Sequence, residues 1–166
     1  MFEFLKRKKE EPKKVNVRAF VEGDFVPLEE VSDPVFAQKM LGDGFALEPT
    51  DGRVKAPIAG RVNTVFPTKH AIGITTDDGI EVLLHLGFDT VNLEGKPFSS
   101  NVKEGDRVEV GDLLSTMDVE MIRQSEEAST TCALVFTNGQ DKIANLDYEA
   151  SGHVQVSDIV CTVTLK

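Results

Sequence analysis

Apolar residues recur at every second position through Val82, Leu84, Leu86 and Phe88, alternating with Glu81, Leu83, His85, Gly87 and Asp89. Period-two alternation predicts a half-buried β-strand with the first set in the core and His85 on the other face. Similar short apolar runs fill the chain after residue 16. Turn signals separate them at Glu22-Gly23-Asp24, Gly42-Asp43-Gly44, Thr50-Asp51-Gly52, Asp77-Asp78-Gly79, Glu94-Gly95, Glu104-Gly105-Asp106, Gly111-Asp112 and Asn138-Gly139. That density of strands and turns predicts an all-β fold, an antiparallel sandwich or flattened barrel, with one or two short helices.

The first helix is expected after Asp33, a good N-cap, with Pro34 at its first position and Gly42 as its stop; the second is expected near Asp118 to Ser125. Two stretches, Arg18 to Phe25 and Lys55 to Val62, resemble copies of one strand-turn-strand unit, which predicts a weak internal duplication. No composition shift divides the chain after the tail. The expected organisation is a basic, flexible tail over residues 1–15 and one domain over residues 16–166.

His70 and His85 flank the Asp77-Asp78-Gly79 turn, each in a strand-like run. A two-residue loop at Asp78-Gly79 places His85 opposite Ile72 and His70 opposite Gly87. The histidines are then diagonal neighbours on one face with Cβ atoms roughly 7 Å apart. A four-residue loop makes them directly opposite, and an odd loop sends them to opposite faces. On the even-loop reading, Leu83, Ile72 and Ile74 form an apolar collar around His85, and Asp89 shares its face but lies too far along for contact unless the strand bends at Gly87.

Two imidazoles can divide the work of group transfer. One nitrogen acts as nucleophile while the second ring donates to oxygens on which charge accumulates. The same pair could supply two zinc ligands, with the others coming from elsewhere.

Charge narrows the partners. The chain of 166 residues carries −10, yet residues 1–14 hold six basic and three acidic side chains, so a local +3 leaves −13 on the remainder. Such acidity argues against nucleic acid and favours a basic protein surface. Met1, Phe2, Phe4 and Leu5 precede the Lys6 to Lys9 run, a pattern suited to weak contact with anionic lipid. No membrane-spanning stretch or signal peptide is evident, so the expected location is cytoplasmic. Cys132 and Cys161 lack metal or redox spacing and read as buried thiols, and His153, after Ser151-Gly152, reads as a turn residue.

The stretch Gly79-Ile80-Glu81-Val82-Leu83-Leu84-His85-Leu86-Gly87-Phe88-Asp89-Thr90-Val91 resembles, at every defined position, the signature of the glucose-type enzyme IIA proteins of the bacterial sugar phosphotransferase system. The likeness extends through Asp33 to Ala37, Gly42-Asp43-Gly44, Ala56-Pro57, Gly60, Thr68-Lys69-His70-Ala71, Val102 to Asp106 and Val110-Gly111-Asp112.

The resemblance implies a duplicated hybrid-motif β domain. By that likeness, His85 accepts a phosphoryl group on Nε2 from the histidine phosphocarrier protein and passes it to a cysteine of an enzyme IIB domain of a sugar permease. His70 would bond the phosphoryl oxygens, Thr68 would fix the His70 tautomer, and the Gly87 carbonyl would fix that of His85. Phe36, Met40, Leu41 and Phe66 correspond to an apolar docking rim, to which the hairpin argument adds Ile72 and Leu83. No cofactor is required, and zinc is expected only if a partner completes its shell.

Two rivals share parts of the pattern. A biotinyl or lipoyl carrier domain needs a lysine between two methionines, and Met117-Asp118-Val119-Glu120-Met121 has none. A zinc hydrolase needs a third ligand and a general base beside His70 and His85.

Overall fold

The computed structural model describes residues 11–166. The chain outside it, residues 1–10, contains the whole of the apolar and lysine pattern read as a lipid contact. Strand β1 (Lys14–Arg18) already pairs Lys14 with Thr164, so residues 14 and 15 belong to a sheet rather than to the tail drawn through residue 15.

Fourteen strands run through the described residues, with every pairing antiparallel. The largest sheet has eight strands in the order β13 (His153–Val154), β2 (Gly23–Pro27), β3 (Gly44–Pro49), β11 (Cys132–Phe136), β7 (Glu81–His85), β6 (Ala71–Thr75), β5 (Gly60–Val65), β9 (Arg107–Val108). Two three-stranded sheets complete the sandwich: β1, β14 (Ile159–Leu165) and β12 (Ile143–Tyr148); and β4 (Arg53–Lys55), β10 (Leu113–Met117) and β8 (Phe98–Ser100). All three sheets contribute to one apolar core, including Leu84 and Leu134 from the large sheet, Val17 and Val163 from one small sheet, and Val54 and Leu114 from the other.

The duplication read from Arg18 to Phe25 and Lys55 to Val62 is present down to single hydrogen bonds. Ala19 N donates to the Asp158 carbonyl and Ala56 N to that of Asp112, while Phe25 N donates to Gly152 and Val62 N to Asp106. The β1–β14 ladder shifts register between Val17 and Arg18, and the β4–β10 ladder shifts between Leu113 and Ser115 at the matching place. The copies also pair with each other, Arg18 N to the Pro57 carbonyl and Lys55 N to that of Phe20.

The strand β11 is buried at every position, Cys132 through Phe136, because both faces of the large sheet are covered there. Cys132, Leu134 and Phe136 face the main core; Ala133 and Val135 face a second apolar cluster with Leu28, Val31, Phe36, Ala46 and Phe88, against which Leu83 packs. Helix α1 (Pro34–Ala37) carries Phe36 into this cluster. Asp33 caps it by accepting from Val35 N at 2.9 Å, with Pro34 at the first position. The helix ends at Gln38, before the expected stop at Gly42, as Lys39 turns into the left-handed region at φ 59°. Helix α2 (Val119–Gln124) follows its Asp118 cap and ends at Ser125, as expected. A third single turn, α3 (Gly139–Lys142), stands where Asn138-Gly139 predicts only a turn.

The β6–β7 hairpin departs from the even-loop reading. Its ladder pairs Ala71 with His85, Ile72 with Leu84, Gly73 with Leu83, Ile74 with Val82 and Thr75 with Glu81. Thr76 N donates to the Ile80 carbonyl, which closes a three-residue loop over residues 77–79, and Gly79 occupies the left-handed position such loops require, at φ 86°. Ile72 and Ile74 therefore lie in the main core, fully buried with Leu84, on the opposite face from His85. They form no collar, and Ile72 is no part of a docking surface. Phe88 is buried as expected, but in the second cluster on the His85 side, because the chain turns at Gly87, φ 80°. Cys132 and Cys161 are buried thiols whose pKa values burial pushes up to about 12.

Candidate functional site: a histidine pair at the end of β7

His85 closes β7 on the second face of the large sheet. Its ladder neighbours on either side are Ala71 and Ala133, both fully buried and small, which leaves room above them for the imidazole. Phe36 packs on that ring at a centroid distance of 4.9 Å and Phe88 at 6.1 Å. The His85 Nδ1 lies 2.7 Å from the Gly87 carbonyl oxygen. A carbonyl only accepts, so Nδ1 carries the proton and the neutral ring keeps its lone pair on Nε2. Burial lowers the His85 pKa, opposed by that hydrogen bond and by the charges of Asp33 and Asp89.

His70 stands just before β6, after Lys69 at φ 61°, and its carbonyl accepts the Leu86 N–H at 2.6 Å. Its ring meets that of His85 edge to face at 5.0 Å and that of Phe66, also nearly perpendicular, at 5.3 Å. The Thr68 hydroxyl sits 2.5 Å from Nδ1. Burial and the neighbouring His85 push the His70 pKa down to about 4. Both rings are neutral near pH 7, which leaves an anion facing two nitrogens rather than two cations that repel one another.

The other residues singled out from the sequence sort by exposure. Met40, Leu41 and Phe66 are exposed apolar side chains at 69, 42 and 38 %. Phe36 is buried at 4 % and acts as the wall behind His85 rather than as rim. Leu83 is half-buried on the His85 face. Asp89 is exposed at φ 59°, just after the bend at Gly87, and reaches His85 through charge rather than through a hydrogen bond. Asp33 does the same, a role its capping position did not announce. Val35, beside Phe36 on α1, is a further exposed apolar side chain at 39 %. His153 lies in β13, not in a turn, and faces Asp24 and Glu22 at 3.0 and 3.2 Å, which raise its pKa. Among the described residues no three His, Cys, Asp or Glu side chains group as metal ligands, and no helix is long and apolar enough to cross a membrane.

Fold and site together define a duplicated antiparallel β domain built around a pair of histidines. Residues 15–142 match the family model of the phosphoenolpyruvate-dependent sugar phosphotransferase system, EIIA 1. The chain is 45% identical over 155 residues to the PTS system glucose-specific EIIA component of Halalkalibacterium halodurans, covering 93% of this chain and 88% of that protein. It is 44% identical over 158 residues to the corresponding Staphylococcus aureus component, covering 95% and 94%. Over 149 residues it is 50% identical to the PTS system glucose-specific EIICBA component of Streptococcus pneumoniae serotype 4, covering 90% of this chain but only 20% of that longer protein. The solved glucose permease IIA from Mycoplasma capricolum superposes with a TM-score of 0.84 at 39% identity, covering 90% of this chain and 96% of that one. The chain belongs to the EIIA 1 family of the sugar phosphotransferase system, and its role is that of a phosphoryl carrier in sugar uptake.

Proposed function

We propose that His85 is the phosphoryl-bearing residue. The Nε2 lone pair attacks the phosphorus carried by the histidine phosphocarrier protein; the new N–P bond forms as the donor's N–P bond breaks, and the donor imidazole leaves with the bonding pair. In the second transfer a cysteine thiolate of an enzyme IIB domain attacks the same phosphorus, and the His85 nitrogen recovers its lone pair. The hydrogen bond from His85 Nδ1 to the Gly87 carbonyl supports this reading most strongly, since it leaves Nε2 as the free nucleophile.

His70 serves the charge. A hydroxyl can donate or accept, so Thr68 admits either His70 tautomer. An oxyanion between the rings selects the one in which Thr68 donates to Nδ1 and Nε2–H donates to the phosphoryl oxygen. Transfer then rests on positioning and charge stabilisation. Met40, Leu41 and Phe66 receive the partner, while Asp89 and Asp33 favour a basic surface on it. The glucose-specific names of the relatives support glucose as the sugar. The setting is the cytoplasm, nucleic acid is no partner, and no cofactor takes part; zinc binds only where a partner adds ligands to the two imidazoles.

The test is mass and peptide mapping after incubation with phosphoenolpyruvate and the general enzymes of the system. One acid-labile phosphate is expected on the peptide containing His85, and none on a His85→Ala protein. Phosphate on another residue, or uptake by His85→Ala, would refute the assignment.

A further inference from the structure

Both histidines are fastened to one dipeptide. Leu86 N donates to the His70 carbonyl at 2.6 Å, and the Gly87 carbonyl accepts from His85 Nδ1 at 2.7 Å. Leu86-Gly87 thus holds the backbone of one ring and the tautomer of the other. It does so just beyond β7, at a glycine, the residue with the widest torsional freedom.

Two anchors remove that freedom. On the far side, Phe88 and Ser129 exchange backbone hydrogen bonds of 3.1 and 3.0 Å. On the near side, Thr90 Oγ1 donates to the Leu86 carbonyl at 2.7 Å. Thr90 is fully buried, and its Cγ2 lies only 2.4 Å from where a Cβ on residue 87 would stand. Its hydroxyl holds the peptide group before Gly87, and its methyl packs against the glycine itself. With the groups on both sides pinned, the Gly87 carbonyl has one direction left, toward His85 Nδ1.

We infer that Thr90 is a positioning residue for phosphoryl transfer: through Leu86-Gly87 its hydroxyl aims the Gly87 carbonyl and keeps His85 in the tautomer with Nε2 free. The inference rests on the reading of His85 as the phosphoryl-bearing residue and extends it to a side chain that touches neither ring.

The experiment uses the full chain, ¹⁵N-labelled, as wild type, Thr90→Val and Thr90→Ser. Imidazole ¹⁵N shifts report the His85 tautomer without any donor present, and rapid-quench kinetics report uptake from the phosphorylated carrier. In Thr90→Val the nearly pure Nδ1–H tautomer should become a mixture. Uptake at saturating donor should fall about tenfold with KM little changed, the scale of losing an outer hydrogen-bond partner. Thr90→Ser should restore both. A folded Thr90→Val protein with wild-type tautomer and rate overturns the inference. If Thr90→Val does not fold, Thr90→Ala, which also lacks the hydroxyl, decides: a mixed tautomer and slowed uptake in the folded protein support the hydroxyl's role, and wild-type values refute it. Failure of the wild type to take up phosphate at His85 would sink the carrier reading alone, since the tautomer comparison needs no phosphate.

Discussion

The rings of His70 and His85 meet at 5.0 Å, although the two residues have opposite parity in the β6–β7 ladder. Ala71 is the partner of His85, so a regular pleat would place His70 over Leu86 and aim it at the core. The pleat does not extend that far. Strand β6 begins at Ala71, and the left-handed turn at Lys69 brings His70 in from outside the sheet, where Thr68 and Phe66 hold its ring.

If His70 stabilises charge rather than carrying the phosphoryl group, its loss should slow transfer without abolishing it. His70→Ala is expected to take up label at His85 with a rate about 10²- to 10³-fold lower, the usual cost of removing one oxyanion donor. Thr68→Val, which removes only the bond to Nδ1, should cost about tenfold. Rapid-quench measurement of single-turnover uptake checks both, and a wild-type rate in His70→Ala would exclude the role.

The depressed His70 pKa has a stability consequence. The unfolded chain binds a proton at the ordinary value of 6.5 while the folded site resists until about 4. Between those values the unfolded state holds more protons, so stability falls as pH drops from about 6.5 toward about 4, and the pair has no such effect above neutrality. Burial of His85 acts in the same direction. Denaturant unfolding at pH 7 and pH 5 should show a smaller difference for His70→Gln than for wild type. A His70 ring that titrates near 6.5 by NMR in the folded protein would contradict this.

Gly87 leaves no room for a side chain. A Cβ there would meet Thr90 Cγ2 at 2.4 Å and the Ser129 carbonyl oxygen at 2.6 Å, at a φ of 80°. Gly87→Ala should destabilise the domain by about 1–3 kcal/mol and displace the carbonyl that holds His85, lowering transfer in whatever fraction stays folded. An unchanged melting temperature would show that the loop yields more easily than this packing implies.

The exposed and buried apolar residues should separate by assay. Met40→Asp and Phe66→Asp, at exposed positions, should raise the KM for the partner protein several-fold with little change in melting temperature. Phe36→Ala, at a buried position against Phe88 and His85, should cost about 3–5 kcal/mol of stability. The assignment fails if the aspartates leave KM unchanged, or if Phe36→Ala is as stable as wild type.

Much of this architecture is legible in one dimension because its signals are local. The alternation from Val82 to Leu86 around His85, the Asp33-Pro34 cap, the second helix near Asp118 to Ser125 and the doubled strand-turn-strand unit each depend on neighbours a few residues away, and each appears where expected. The hydrogen bonds between Thr68 and His70 and from His85 Nδ1 to the Gly87 carbonyl each span two residues, so they too are local.

What the chain alone settled was the inventory: an all-β duplicated domain and two histidines beside one turn. Tertiary structure decided the rest. One extra residue in the hairpin loop moved Ile72 into the core, and a strand that starts one residue late returned His70 to the site despite the reversed parity. Helix α1 turned Phe36 from rim into wall, and Thr90 gained a partner by folding back under Gly87. Loop parity and strand ends reflect small differences among many backbone hydrogen bonds and packing contacts contributed by distant segments, and no short window of sequence contains them.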